Sequence, residues 1–115
     1  MPVTLDFTYL KSLTRDDRVF EKTLLSGAFD DIDQKMEELK LAWEAGDGAG
    51  VRQAAHSLVS LCAISGMPTV EQKTRGLDQL FADRLFHADQ APLFQDIMAD
   101  WQDAKPQLLA LLSTY

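Results

Sequence analysis

The stretch Val51-Arg52-Gln53-Ala54-Ala55-His56-Ser57-Leu58-Val59-Ser60-Leu61-Cys62-Ala63-Ile64-Ser65-Gly66 decides how this chain folds and where its chemistry lies. With Leu58 at the centre of an apolar stripe and about 100° per residue, Val51, Ala54, Ala55, Leu61, Cys62 and Ser65 all fall within roughly 60° of it. That is an amphipathic helix, expected from about Ala49 to Ser65. Gly66, with Pro68 close behind, is the stop signal. His56 falls roughly 160° from the stripe, so its imidazole is expected in solvent rather than in the core. Its neighbours on the helix surface lie three and four residues away: Arg52, Gln53, Val59 and Ser60, with Ala49 and Ala63 one turn further. The patch is read as small, partly apolar and without a carboxylate. A low-charge surface around one nucleophile suits the docking of a partner.

The flanking segments repeat the helical period, and none shows a sustained alternation of apolar and polar residues, so the fold class is all-α. Upstream, a short helix is expected from Leu5 to Leu13, with Thr14 and Asp17 forming a capping box before the next helix. From Arg15 to about Ala45, Leu25, Ala28, Phe29, Ile32, Met36, Leu39 and Trp43 form one stripe, opposite a solvated face of Asp31, Asp33, Glu37, Glu38 and Lys40. Gly46-Asp47-Gly48-Ala49-Gly50 breaks that helix, and Asp47 can cap the next. Downstream, a helix is expected from Thr69 to Phe86 on Val70, Thr74, Leu77, Leu80, Phe81 and Leu85. After a turn at Asp89–Pro92, a last helix to about Ser113 aligns Phe94, Ile97, Met98, Trp101, Ala104, Leu108 and Leu112. Pro106 inside it is expected to kink or break it. Four long helices with short connections give an antiparallel up-down-up-down four-helix bundle, with the short additional N-terminal helix covering one end.

The whole chain, residues 1–115, is read as one domain. Its 46% hydrophobic and 25% charged residues suffice for a core of its own. Eleven Lys and Arg against eighteen Asp and Glu leave a net charge of −7, which disfavours nucleic acid and anionic membranes as partners. A single cysteine, Cys62, excludes an internal disulfide and fits a reducing compartment. Met1-Pro2-Val3-Thr4-Leu5-Asp6 carries no secretory signal pattern. A cytoplasmic, free-standing monomer is expected.

Ala55-His56-Ser57-Leu58, followed by Gly66 ten residues after the histidine, resembles the signature of histidine-containing phosphotransfer (HPt) domains. The order of long acidic helix, Gly-Asp turn, histidine helix and following amphipathic helix is similar to that family over nearly the whole chain. The resemblance implies that His56 is a phosphoacceptor, exchanging a phosphoryl group with the aspartate of a response-regulator receiver domain or with a hybrid sensor histidine kinase. The receiver would bring the acidic pocket and Mg2+, and this chain would bind no cofactor or metal. Partner docking would centre on Arg52, Gln53, Val59, Ser60 and Ala63 around His56. Val59 stands where the family usually has lysine, and Ser60 where it has glycine. Arg52 is then a candidate for the missing positive charge. The two replacements also admit a second function, a pseudo-HPt adaptor that binds receivers or kinases without accepting phosphate.

Other constellations have structural readings. His87 is expected at the carboxyl end of the fourth helix, near Asp89. The two histidines are 31 residues apart, which gives no metal pair. Gly46, Gly48 and Gly50 follow a helix and lack a P-loop lysine, so they read as a linker, and without a nucleotide site the chain has no kinase activity of its own. Asp30, Asp31 and Asp33 lack calcium-loop spacing. Met36, Met67 and Met98, together with Trp43 and Trp101, read as packing residues.

Overall fold

A computed structural model describes residues 3–115. Met1 and Pro2, which begin the stretch read for a secretory signal, lie outside the described residues. The elements are α1 (Thr8–Thr14), α2 (Arg18–Glu44), α3 (Gly48–Ile64), α4 (Pro68–Leu80), a single 3-10 turn (Ala88–Gln90) and α5 (Ala91–Leu112). Among the described residues there is no strand. The bundle measures 42 × 24 × 20 Å along its principal axes. α3 packs along both α2 and α4, and α5 closes the ring by touching α4 and α2. α1 lies across α2 and α3.

Helix starts follow side-chain capping. Asp17 accepts from the Phe20 amide at 3.1 Å and opens α2, while Asp47 accepts from the Gly50 amide at 3.0 Å and opens α3. Each such cap is worth about 1 kcal/mol. The expected Thr14–Asp17 box does not form. Thr14 instead ends α1, donating its hydroxyl to the Leu10 carbonyl, and Arg15 and Asp16 reverse the chain at positive φ. α1 begins at Thr8 rather than Leu5, because Asp6 accepts from both the amide and the hydroxyl of Thr8.

The core is the expected one: Leu25, Ile32, Met36 and Leu39 of α2, Val51, Ala55, Leu58 and Cys62 of α3, Val70 and Leu77 of α4, and Ile97, Trp101 and Leu108 of α5 are all buried. Trp101 meets the Phe29 ring at 5.5 Å, and Trp43 stacks on Phe94 at 4.5 Å with Phe81 and Phe86 against its other sides.

Three further expectations need correction. α4 ends at Leu80 instead of Phe86, leaving Leu80 and Leu85 exposed. The Asp83 carboxylate accepts from the Leu85 amide, and this local bond competes with the helix ladder. Arg84 then turns the chain at φ 64. α5 runs unbroken through Pro106, whose outward position leaves the unpaired carbonyl one turn before it on the wet side. Gly48 is no linker residue: it is buried as the first residue of α3, and a Cβ there would strike the backbone of Arg84 and Leu85.

Candidate functional site

α3 presents its apolar face to three neighbouring helices, which leaves only one strip of it open to solvent. His56 stands in the middle of that strip with 65% of its side chain exposed, as the helical phase requires. The turn after α3 fixes what faces it. Gly66 takes φ 71, its carbonyl accepts from the Asp6 amide, and Pro68 starts α4 immediately. The two helices therefore run back along each other with a tight register.

That register brings Asp78 of α4 against His56. Nδ1 of His56 lies 3.0 Å from Oδ2 of Asp78, and the other carboxylate oxygen accepts from Nε of Arg52 at 3.1 Å. Asp78 is only 17% exposed, so its oxygens are largely committed to these two partners. The site thus contains a carboxylate, contrary to the reading from α3 alone, because a neighbouring helix supplies it. A carboxylate paired with a guanidinium is an acceptor only, so the hydrogen on the shared ring nitrogen is its natural complement. In the tautomer that gives Asp78 that hydrogen, the Nε2 lone pair is left unshared.

Of the candidate docking residues, Gln53 and Ser60 are exposed and Arg52, Val59 and Ala63 are half-buried, all on the His56 side of α3. Arg52 is tied through Nε to Asp78, with 36% of its side chain exposed. Val59, Ser60 and Ala63 line an open groove of about 650 Å³ with Tyr9 of α1 and Glu71 and Arg75 of α4. Asp78 and Arg75 were missed in the sequence. A signal for Asp78 exists: His56 and Asp78 are equally far from Met67, the centre of the helix turn, as an antiparallel pair of equal rise requires.

A comparison with protein families matches the Hpt domain over residues 23–113. The chain belongs to the Hpt domain family. It is accordingly a histidine phosphotransfer domain of the kind used in phosphorelays. Among solved structures, it is similar to histidine-containing phosphotransfer protein B from Pseudomonas aeruginosa PAO1, with 20% sequence identity, a TM-score of 0.81 and 96% of each chain covered. At that identity the likeness concerns the all-α Hpt fold. No curated protein matches the sequence.

The remaining titratable groups of interest are structural. Cys62 is fully buried, and burial, reinforced by the Glu71 charge, pushes its thiol up to about 12. His87 is not at the carboxyl end of α4, which stops at Leu80. It sits in the loop before α5, its Nε2 2.9 Å from Asp83 and its ring edge-on to Phe81 at 5.0 Å. That bond to His87 is the main cause that holds the Asp83 carboxyl below its usual range. Asp33, read as a solvated acid, in fact bridges α2 to α5 by accepting from Trp101 Nε1 and Lys105 Nζ. Among the described residues no group of three His, Cys, Asp or Glu side chains could hold a metal ion. Nor is any helix there long and apolar enough to cross a membrane.

Proposed function

We propose that His56 is the phosphoacceptor of this Hpt domain, and that it relays a phosphoryl group between the aspartate of a response-regulator receiver, or a hybrid sensor kinase, and a further receiver. The observation that carries the reading is the contact of Nδ1 with Asp78 at an exposed imidazole. It leaves Nε2 as the nucleophile. In the transfer, the Nε2 lone pair attacks phosphorus, the P–O bond of the partner's acyl phosphate breaks, and the aspartate carboxylate leaves with the bonding pair. The hydrogen on Nδ1 stays between the ring and Asp78, which offsets the positive charge that the ring gains. The reverse sequence hands the group on, with the neutral imidazole as leaving group.

The bundle contributes positioning rather than acid chemistry, and the receiver would supply its own acidic pocket and Mg2+. Val59, Ser60 and Ala63 offer the partner an uncharged strip beside His56, with Arg52 and Gln53 at its other end. The chain's net charge of −7 supports a protein partner over nucleic acid or an anionic membrane. The single buried cysteine and the closed core fit a cytoplasmic monomer.

The direct test mixes the protein with a phosphorylated receiver and follows acid-labile, alkali-stable label on this chain. The label is expected on the unaltered protein and absent from His56→Gln. The rival reading is the pseudo-HPt adaptor, favoured by Val59 and Ser60 at the positions next to the imidazole. Receiver binding without label, preserved in His56→Ala, selects the adaptor.

A further inference from the structure

A phosphoryl group on His56 carries close to two negative charges, and it would arrive beside a carboxylate. A cation at the site would offset that charge, and Val59, on the next turn of α3, is apolar. Arg52, 36% exposed, already donates Nε across to the largely buried Asp78. Arg75 is the more open of the two. It lies one turn before Asp78 on α4, lines the groove with Val59 and Ser60, and is 54% exposed. Its partner is Glu71 on its own helix, reached through one guanidinium nitrogen at 2.9 Å.

The antiparallel register of α3 and α4 fixes the distance scale. Asp78 is opposite His56, and three residues back along α4 is a rise of about 4.5 Å, in the direction of Ser60. An extended arginine side chain spans that gap. An ion pair one turn apart on an exposed helix face is weak and readily exchanged. A phosphoryl group offers the same guanidinium a doubly charged, fork-shaped acceptor.

We propose that Arg75 holds the phosphoryl group on His56, supplying from α4 the positive charge that Val59 does not supply from α3. The proposal rests on His56 being the acceptor. Before phosphorylation Arg75 pairs with Glu71. After the Nε2–P bond forms, it turns to the phosphoryl oxygens. No proton moves in that exchange.

The test uses the full chain and a small-molecule phosphoramidate, whose N–P bond breaks with ammonia leaving as the phosphoryl group passes to imidazole. Phosphorus NMR then reads the phosphohistidine signal and its decay, with no partner protein required. In Arg75→Ala the lifetime or yield of phosphohistidine is expected to fall by about three- to tenfold, the size of one charge-assisted bond at a half-exposed site. Arg75→Lys is expected to restore part of it. Thermal melts of both variants are expected to match the unaltered protein, which separates loss of phosphoryl binding from loss of fold. Unchanged yield and lifetime in Arg75→Ala overturn the proposal while leaving the acceptor reading intact. Signal that persists in His56→Gln, or no signal in the unaltered protein, overturns the acceptor reading and the proposal with it.

Discussion

Nδ1 of His56 and Oδ2 of Asp78 are 3.0 Å apart, although 22 residues separate them in the chain. The pair joins the histidine of one helix to a largely buried carboxylate on the next, and Arg52 completes it on the far side of that carboxylate. A second helix thereby occupies one nitrogen of the ring and leaves Nε2 without a partner.

Removing the carboxylate should release the ring. In Asp78→Ala, nitrogen-15 NMR of the imidazole is expected to show a mixture of tautomers in place of the form protonated at Nδ1. Phosphorylation from a receiver should slow by about tenfold, the usual scale when an outer partner that orients a functional histidine is lost. An unchanged tautomer ratio would mean that Asp78 does not orient the ring.

Arg52 and Asp78 should behave as a unit. Arg52→Ala leaves the carboxylate without its guanidinium, so its cost in transfer rate is expected to overlap with that of Asp78→Ala. The double variant should be no slower than the worse single variant, which a double-mutant cycle reads directly. Additive losses would instead give Arg52 an independent hold on the phosphoryl group.

Gly48 predicts a stability effect far from the site. Its α-carbon sits against the backbone of Arg84 and Leu85, where a methyl group has no space. Gly48→Ala is expected to destabilise the fold by about 1–3 kcal/mol, the range for overpacking. That corresponds to a fall in melting temperature of roughly 4–8 °C for each kcal/mol.

Cys62 sets a limit at high pH. Its thiol is raised from an ordinary value of 9.0 to about 12, so the folded protein holds a proton that the unfolded chain releases earlier. The stability that depends on the neutral thiol is fully present below pH 9.0 and declines as pH rises from there through about 12. Alkylation of Cys62 is expected to be slow in the folded protein and fast after denaturation. Removing the titrating group in Cys62→Ala should flatten this part of the pH dependence.

A docking prediction follows from the groove. Ala63 lies one turn beyond Ser60, half-buried beside α4. Ala63→Glu adds a charge to the uncharged strip and is expected to weaken receiver binding, measured by calorimetry, while leaving phosphoramidate labelling of His56 unchanged. Equal binding by the variant would move the docking surface elsewhere.

Helical period alone was enough to put Leu58 and Cys62 in the core and His56 in solvent, because that assignment depends only on the angle between residues of one helix. Asp47 was legible as a cap for the same local reason, whereas Asp17, read as the far member of a box capped by Thr14, is itself the cap of α2. Thr14 was free to complete the preceding helix instead. The end of α4 was not legible, since Leu80, Phe81 and Leu85 continue an apolar stripe on paper. The helix ends at Leu80, Asp83 accepts from the Leu85 amide, and of the three only Phe81 is buried. Gly48 looked like linker because nothing nearby in sequence reveals the Arg84–Leu85 backbone packed against it.

The sequence by itself determined the all-α class, the core stripes and the exposed imidazole, all of them properties of single helices with a fixed rise and turn. Only the tertiary structure decided what faces that imidazole. Asp78 and Arg75 reach His56 and its neighbours from another helix, and their placement depends on the register that the Gly66 turn imposes on α3 and α4. The carboxylate that meets Nδ1 of His56 is therefore a product of packing between helices, which no periodicity within one helix contains.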